Sequence, residues 1–171
     1  LSDALAHRVR VTTRHPLLAP VLTGWAIAAI VLTALSAQAI AHLWFPDVDD
    51  AMRLAEVRDW LAGQSWWDVS QHRLGGGHFA MHWSRLVDLP VAAVLLLAEP
   101  LFGAAAATRI ALTAIPLVTL LAVMALGAEL TRRVAGFEPA RLAILLVPLS
   151  VPLIYQLQPL RIDHHGWQIA C

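Results

Sequence analysis

Between residues 17 and 45 the chain carries no charged side chain, and this stretch limits the folds open to it. A helix needs about 20 apolar residues to cross about 30 Å of hydrocarbon. The stretch meets that length even when tilted. It is too long, and too poor in small-residue cleavage signals, for a simple signal peptide. Two further uncharged runs, 110–128 and 142–160, also reach spanning length. A fourth apolar region, 86–108, is interrupted by Asp88, Pro90, Glu99 and Pro100. Its longest uncharged run, 89–98, is short for a crossing and suits an interfacial or re-entrant helix.

The composition agrees with a membrane chain. Of 171 residues, 58% are apolar and 14% charged, against about 45–50% and about 25% in an average soluble domain. Twelve basic residues balance twelve acidic ones, which leaves no cationic surplus for nucleic acid. A single cysteine, Cys171, excludes a disulfide framework and a thiolate zinc site. The sequence starts without Met and reads as the N-terminal part of a longer protein.

The expected fold is all-α: a polytopic membrane helical bundle with spans at about 19–45, 109–131 and 141–160. A long first external loop, 46–108, would contain amphipathic helices, one of them interfacial at about 86–104. Orientation follows from basic residues, which favour the cytoplasmic side. Arg8, Arg10 and Arg14 precede the first span, and Arg132, Arg133 and Arg141 lie between the second and third. Both segments are expected in the cytoplasm. Residues 46–108 and those from Arg161 onward then face outward.

The polar residues concentrate in the first loop. Residues 49–62 read as a helix, capped by Asp49 or Asp50 and ended by Gly63. Asp49 and Arg53, four apart, are placed to pair on one face, with Met52, Ala55 and Trp60 as an apolar side. Gly75-Gly76-Gly77 reads as a flexible loop; without a preceding strand or a following Gly-Lys-Ser/Thr it is no phosphate-binding loop. Trp44, Trp60, Trp66, Trp67 and Trp83 form either an interfacial aromatic belt or a surface for sugar or lipid headgroups.

Two acidic motifs stand at span ends: Asp47-Val48-Asp49-Asp50 after the first and Arg161-Ile162-Asp163-His164-His165 after the third. Carboxylates without thiolates suit hard divalent cations such as Mg²⁺ or Mn²⁺, and the Asp-x-His spacing of Asp163 and His165 adds an imidazole. The alternatives are plain: Asp50 as a helix cap, Asp47 as a solvated loop residue, and His164 as an interfacial residue pointing away from its neighbours.

In order and spacing these motifs, with Val-Arg-Asp-Trp-Leu-Ala-Gly-Gln, His-Trp-Ser-Arg-Leu-Val-Asp-Leu-Pro and Arg-Arg-Val-Ala-Gly between them, resemble the N-terminal part of the oligosaccharyltransferase catalytic subunit family. That family belongs to the membrane glycosyltransferases of the C-type fold. The resemblance runs from about Val21 to Gln168. It implies transfer of a sugar or oligosaccharide from a polyprenyl-phosphate or -diphosphate lipid to a protein or glycan acceptor. It also implies a bacterial inner-membrane location with the N-terminus cytoplasmic and the active site periplasmic. Carried over by position, Asp49 matches the first-loop carboxylate that faces both metal and acceptor, and Asp47 completes an Asp-x-Asp. Asp163 and His165 match the second-loop ligands of a Mg²⁺ or Mn²⁺ ion. Arg161 meets lipid phosphate or anchors the span end, and Arg53 is placed with it at the substrate. Trp66-Trp67-Asp68 lies in the first loop, whereas the family's acceptor-reading Trp-Trp-Asp lies in a C-terminal domain, so that likeness is coincidental. The alternatives are a C-type transferase adding a single sugar to lipid or protein hydroxyls, and a non-catalytic membrane transport or scaffold protein.

Overall fold

The computed structural model describes residues 16–77 and 79–171; the basic residues Arg8, Arg10 and Arg14, used above for orientation, lie outside them. The described chain is mostly helical. It runs α1 (Leu18–Leu35), α2 (Ala37–His42), α3 (Val48–Leu61), β1 (Ser70–Gln71), β2 (Phe79–Ala80), α4 (Asp88–Phe102), α5 (Ala104–Ala135), α6 (Phe137–Leu146), α7 (Val151–Leu157) and α8 (His165–Ala170). Two helices, α1 and α5, are long and apolar enough to cross a membrane.

The spine is α5. At about 1.5 Å per residue its 32 residues reach about 48 Å, well beyond the hydrocarbon thickness. Its first half packs against α4 and α3 through Val57, Val91, Leu95, Ala111 and Leu112; its second half packs against α1, α6 and α7 through Val21, Leu120, Met124, Ile144 and Leu157. Small residues let these helices approach closely. Ala92, Ala98, Ala107 and Ala111 do so in the first cluster, and Gly24 does so in the second, where an added Cβ would sit 2.8 Å from the Ile144 side chain. The Trp25 indole donates to the Leu117 carbonyl at 2.7 Å and ties α1 to the spine.

The expected spans are more broken than their composition predicts. The 19–45 segment divides at Ser36, whose N–H caps α1, and stops at Leu43, which has a positive φ of 54°. The 141–160 segment bends by 65° between residues 137–149 and α7. Pro148 and Pro152 flank the bend, and Ser150 is extended there; each proline removes a helical N–H and crowds the preceding turn. Hydropathy counts apolar residues and misses such breaks. The expected interfacial helix 86–104 forms as α4 over Asp88–Phe102 and turns into α5 at Gly103, φ 79°. The chain is not wholly α. Ser70–Gln71 pairs antiparallel with Phe79–Ala80, and the triple glycine between them forms a short 3₁₀ turn with positive φ values.

The spine has one internal defect. Pro116 lies inside α5 and has no N–H, so it leaves the carbonyl four residues earlier without its helical donor. That carbonyl, on Leu112, accepts from the backbone N–H of Leu160 at 2.8 Å. Leu160 holds a positive φ of 73°, an uncommon conformation for a branched residue. The chain is thereby turned back onto the spine immediately before the second acidic motif.

Candidate metal and anion site

Three carboxylates follow one another closely at the start of α3, and each has a different task. Asp47 precedes the helix in extended conformation, and its side chain accepts from the Asp49 N–H at 3.2 Å. It is the N-cap, in place of Asp49 or Asp50. The helix accordingly starts at Val48 and ends at Leu61, one residue ahead of the expected range at both ends. That hydrogen bond and then the Arg161 guanidinium, 3.2 Å away, hold the Asp47 carboxyl below its ordinary value.

Asp50 is fully buried in the first turn. Its Oδ1 accepts from the backbone N–H groups of Ile162 and Asp163 at 2.8 and 2.9 Å, and its Oδ2 accepts from Arg161 at 2.7 Å. Burial still pushes its pKa up to about 6, against the pull of Arg161 and both N–H groups. The first acidic motif therefore holds the second in shape through backbone hydrogen bonds. Arg161 spends its other nitrogen on Gln156 at 2.5 Å and lies 5.1 Å from the Tyr155 ring centre.

Arg53 lies one turn further along the same face. It does not pair with Asp49. It is fully buried and donates to Asp88 at 2.6 Å and to Asp163 Oδ1 at 3.3 Å, with its guanidinium 4.8 Å from the centre of the Trp83 indole. The inward face of α3 is therefore Asp50, Arg53, Leu54, Glu56 and Val57, not the expected apolar side of Met52, Ala55 and Trp60. Asp88 and Arg161 meet it with charges of opposite sign, which is why a polar helix face is buried. Burial raises the Asp88 carboxyl in spite of Arg53. Arg85, also buried, reaches back to the carbonyls of Trp66 and Asp68 and fastens the first loop to the base of α4.

At the centre is Asp163, 5% exposed. Its Oδ1 takes Arg53 and, at 2.5 Å, Nδ1 of His164. His164 therefore turns toward its neighbour; the expectation that it points away is corrected by this contact and by its 4.3 Å ring approach to His165. Burial opposes ionisation of Asp163, but the N–H and ring of His164, with Arg53, outweigh it and hold the carboxyl below its ordinary value. Oδ2 is buried and has no hydrogen-bond partner among the described residues; Nε2 of His165 stands 3.5 Å from it. The other nitrogen of that ring, Nδ1, lies 3.1 Å from Oε1 of Gln168. Gln168 thus orients the ring, and Nε2 is the nitrogen turned to Oδ2.

That pair fits a divalent cation. Ligands about 2.1 Å from one ion stand about 3.0–3.4 Å apart at octahedral or tetrahedral angles, close to the separation found here. Ligand atoms of Asp163, His164 and His165 all lie within 4.8 Å of one another. Gln168 stands where a partner that orients a ligating imidazole is normally found.

Of the residues singled out in the sequence, the fold gathers Asp47, Arg53, Arg161, Asp163 and His165. Asp47 reaches Asp163 electrostatically and pairs with Arg161. Asp49 is half-buried and, among the described residues, joins neither an ion pair nor the histidine cluster. Asp50, Asp88 and Gln168 were not singled out as site residues, and Trp83 was read only as one of several tryptophans of an aromatic belt or of a sugar or headgroup surface. For Asp88 there was one signal, an acid at the head of an otherwise apolar helix, which reads as an interruption until its cation is known. Comparison of the chain with family models, curated proteins and solved structures finds no match in any of the three.

Proposed function

We propose that this chain is the N-terminal part of an integral-membrane glycosyltransferase that takes a sugar from a polyprenyl-phosphate or -diphosphate lipid and passes it to an acceptor on the external side. The observation that carries the reading is the buried Oδ2 of Asp163, without a hydrogen-bond partner among the described residues and 3.5 Å from His165 Nε2, inside a patch where both acidic motifs meet. Asp163 and His165 would hold a Mg²⁺ or Mn²⁺ ion; of the two first-motif candidates, Asp47 is the one that feels the Asp163 charge. Bound there, the ion supplies positive charge for a departing phosphate.

The chain's own residues do the rest. Asp50 fixes the backbone of the second motif. Arg53 keeps one oxygen of Asp163 occupied and so aims the other. Arg161 holds Asp47 and Asp50 together, which makes it a positioning residue in this arrangement. The resemblance assigns acceptor contact to Asp49; the geometry favours Asp47 for any role that touches the ion. Ionisable groups clustered and perturbed by burial and by one another mark a candidate functional site.

The test is sugar transfer by the full-length protein from a polyprenyl-phosphate-linked hexose, with Mn²⁺ titrated in. Asp163→Asn is expected to abolish Mn²⁺ dependence and lower the rate by about 10²-fold or more. Asp47→Asn should weaken Mn²⁺ binding, and Asp49→Asn should leave it unchanged. Full transfer by the Asp163 variant without metal would sink the reading.

A further inference from the structure

Beside the cluster lies a cleft of about 420 Å³ that the site chemistry above does not use. His164 lines it and also belongs to the Asp163–His165 cluster, so the two spaces share a wall. Trp83 and Trp167 supply its aromatic surface; His82, Ser84 and Gln168 supply hydrogen-bonding groups at its edges. The volume falls within the usual range for small-molecule sites, about 300–1,000 Å³.

Three features decide what such a cleft takes. Its walls combine indole carbon faces with a few donors and acceptors, which matches a pyranose: C–H groups on the ring faces, hydroxyls around the rim. Its position is set by covalent chemistry. In a lipid-linked sugar the anomeric carbon is bonded to a phosphate oxygen, so a phosphate at the Asp163–His165 pair puts the ring in the adjoining space. Its rigidity comes from Arg53. That fully buried guanidinium lies over the Trp83 ring at 4.8 Å and bonds Asp163 at 3.3 Å. One cation therefore sets both the aromatic wall and the metal-facing carboxylate, and it fixes the spacing between them.

We infer that this cleft holds the sugar ring of the donor, stacked on Trp83, with Trp167, His82, Ser84 and Gln168 reading its hydroxyls. The inference rests on the glycosyltransferase reading above and adds to it the residues that select the sugar.

The test uses full-length protein in nanodiscs with Mn²⁺ and two probes, farnesyl phosphate and the same lipid phosphate carrying a hexose. Calorimetry gives each affinity. The wild-type protein is expected to bind the hexosyl probe about tenfold or more tightly than the bare phosphate, a step worth one decade in Kd. Trp83→Ala should erase that increment and keep the farnesyl phosphate and Mn²⁺ affinities. Trp83→Phe, which retains a ring for Arg53 and for the sugar, should keep part of the increment, and Trp167→Ala should reduce it. A wild-type protein that binds both probes equally overturns the cleft assignment alone. So does a Trp83→Ala protein that keeps the increment, or one that loses Mn²⁺ and both probes together. If neither probe binds with Mn²⁺ present, the glycosyltransferase reading itself fails.

Discussion

Asp50 shows how much depends on a single position in a run of similar residues. Its carboxylate takes two backbone N–H groups and one guanidinium, all from residues 161–163. Removing it leaves two buried N–H donors without an acceptor and takes from Arg161 the closer of its two carboxylates, a loss of about 2–6 kcal/mol. Asp50→Ala is therefore expected to lower the unfolding midpoint in detergent sharply, and Asp50→Asn to recover part of it. Glu56 makes a different prediction. It is buried beside Asp88, its Oε1 lacks a hydrogen-bond partner among the described residues, and burial first, then the Asp88 charge, pushes its pKa from 4.5 up to about 7, against Arg53 and Arg85. Between those two values the folded protein keeps a proton that the unfolded chain has released. Stability from this group therefore falls as pH rises through that window, by about 3 kcal/mol in all. Glu56→Gln should remove that slope: the variant gains on the wild type from pH 5 to 8 in melting experiments. A slope unchanged by the substitution would show that Glu56 ionises freely.

Among the elements, α5 carries the most testable detail. Pro116→Ala restores the N–H that completes the helix, and that N–H competes with Leu160 for the Leu112 carbonyl. The two consequences have opposite signs: the helix gains regularity, while residues 160–163 lose their anchor. The expected result is faster amide exchange at Leu160–Asp163 and weaker Mn²⁺ binding, with no loss of helical content. How the sequence foreshadowed these elements is uneven. The existence of α1, α3, α4 and α5 was legible from charge-free runs and from acids followed by glycine. The cap of α3 was not, because Asp47, Asp49 and Asp50 all satisfy local capping chemistry. The choice was made by Ile162 and Asp163, whose N–H groups claim Asp50 from far along the chain. The breaks at Ser36 and Ser150 were also hidden: proline marks where a helix is weakened, but its neighbours decide whether it bends.

For the whole molecule, the fold joins two motifs that lie more than a hundred residues apart, so both must lie on one side of any membrane the chain crosses. Single cysteines beside Asp47 and beside Asp163, in a full-length protein with Cys171 replaced, are expected to react with an impermeant maleimide from the same side. Labelling from opposite sides would be incompatible with the Asp50–Asp163 hydrogen bond. The residues of the candidate site were partly legible: Asp47, Asp163 and His165 stood out because the chain is so poor in charge. Their division of labour was not, since it depends on Arg53, Asp88 and Trp83 meeting from three separate segments. The gap at Leu112 also bears on how the protein is made. At about 5–20 residues per second, α5 is synthesised seconds before Leu160 emerges. Until then it carries a carbonyl unmatched by its own helix, a group that would cost several kcal/mol in a bilayer. Leu160 supplies the missing donor on arrival, which draws residues 151–160 toward α5, and the order of synthesis favours docking of the second acidic motif.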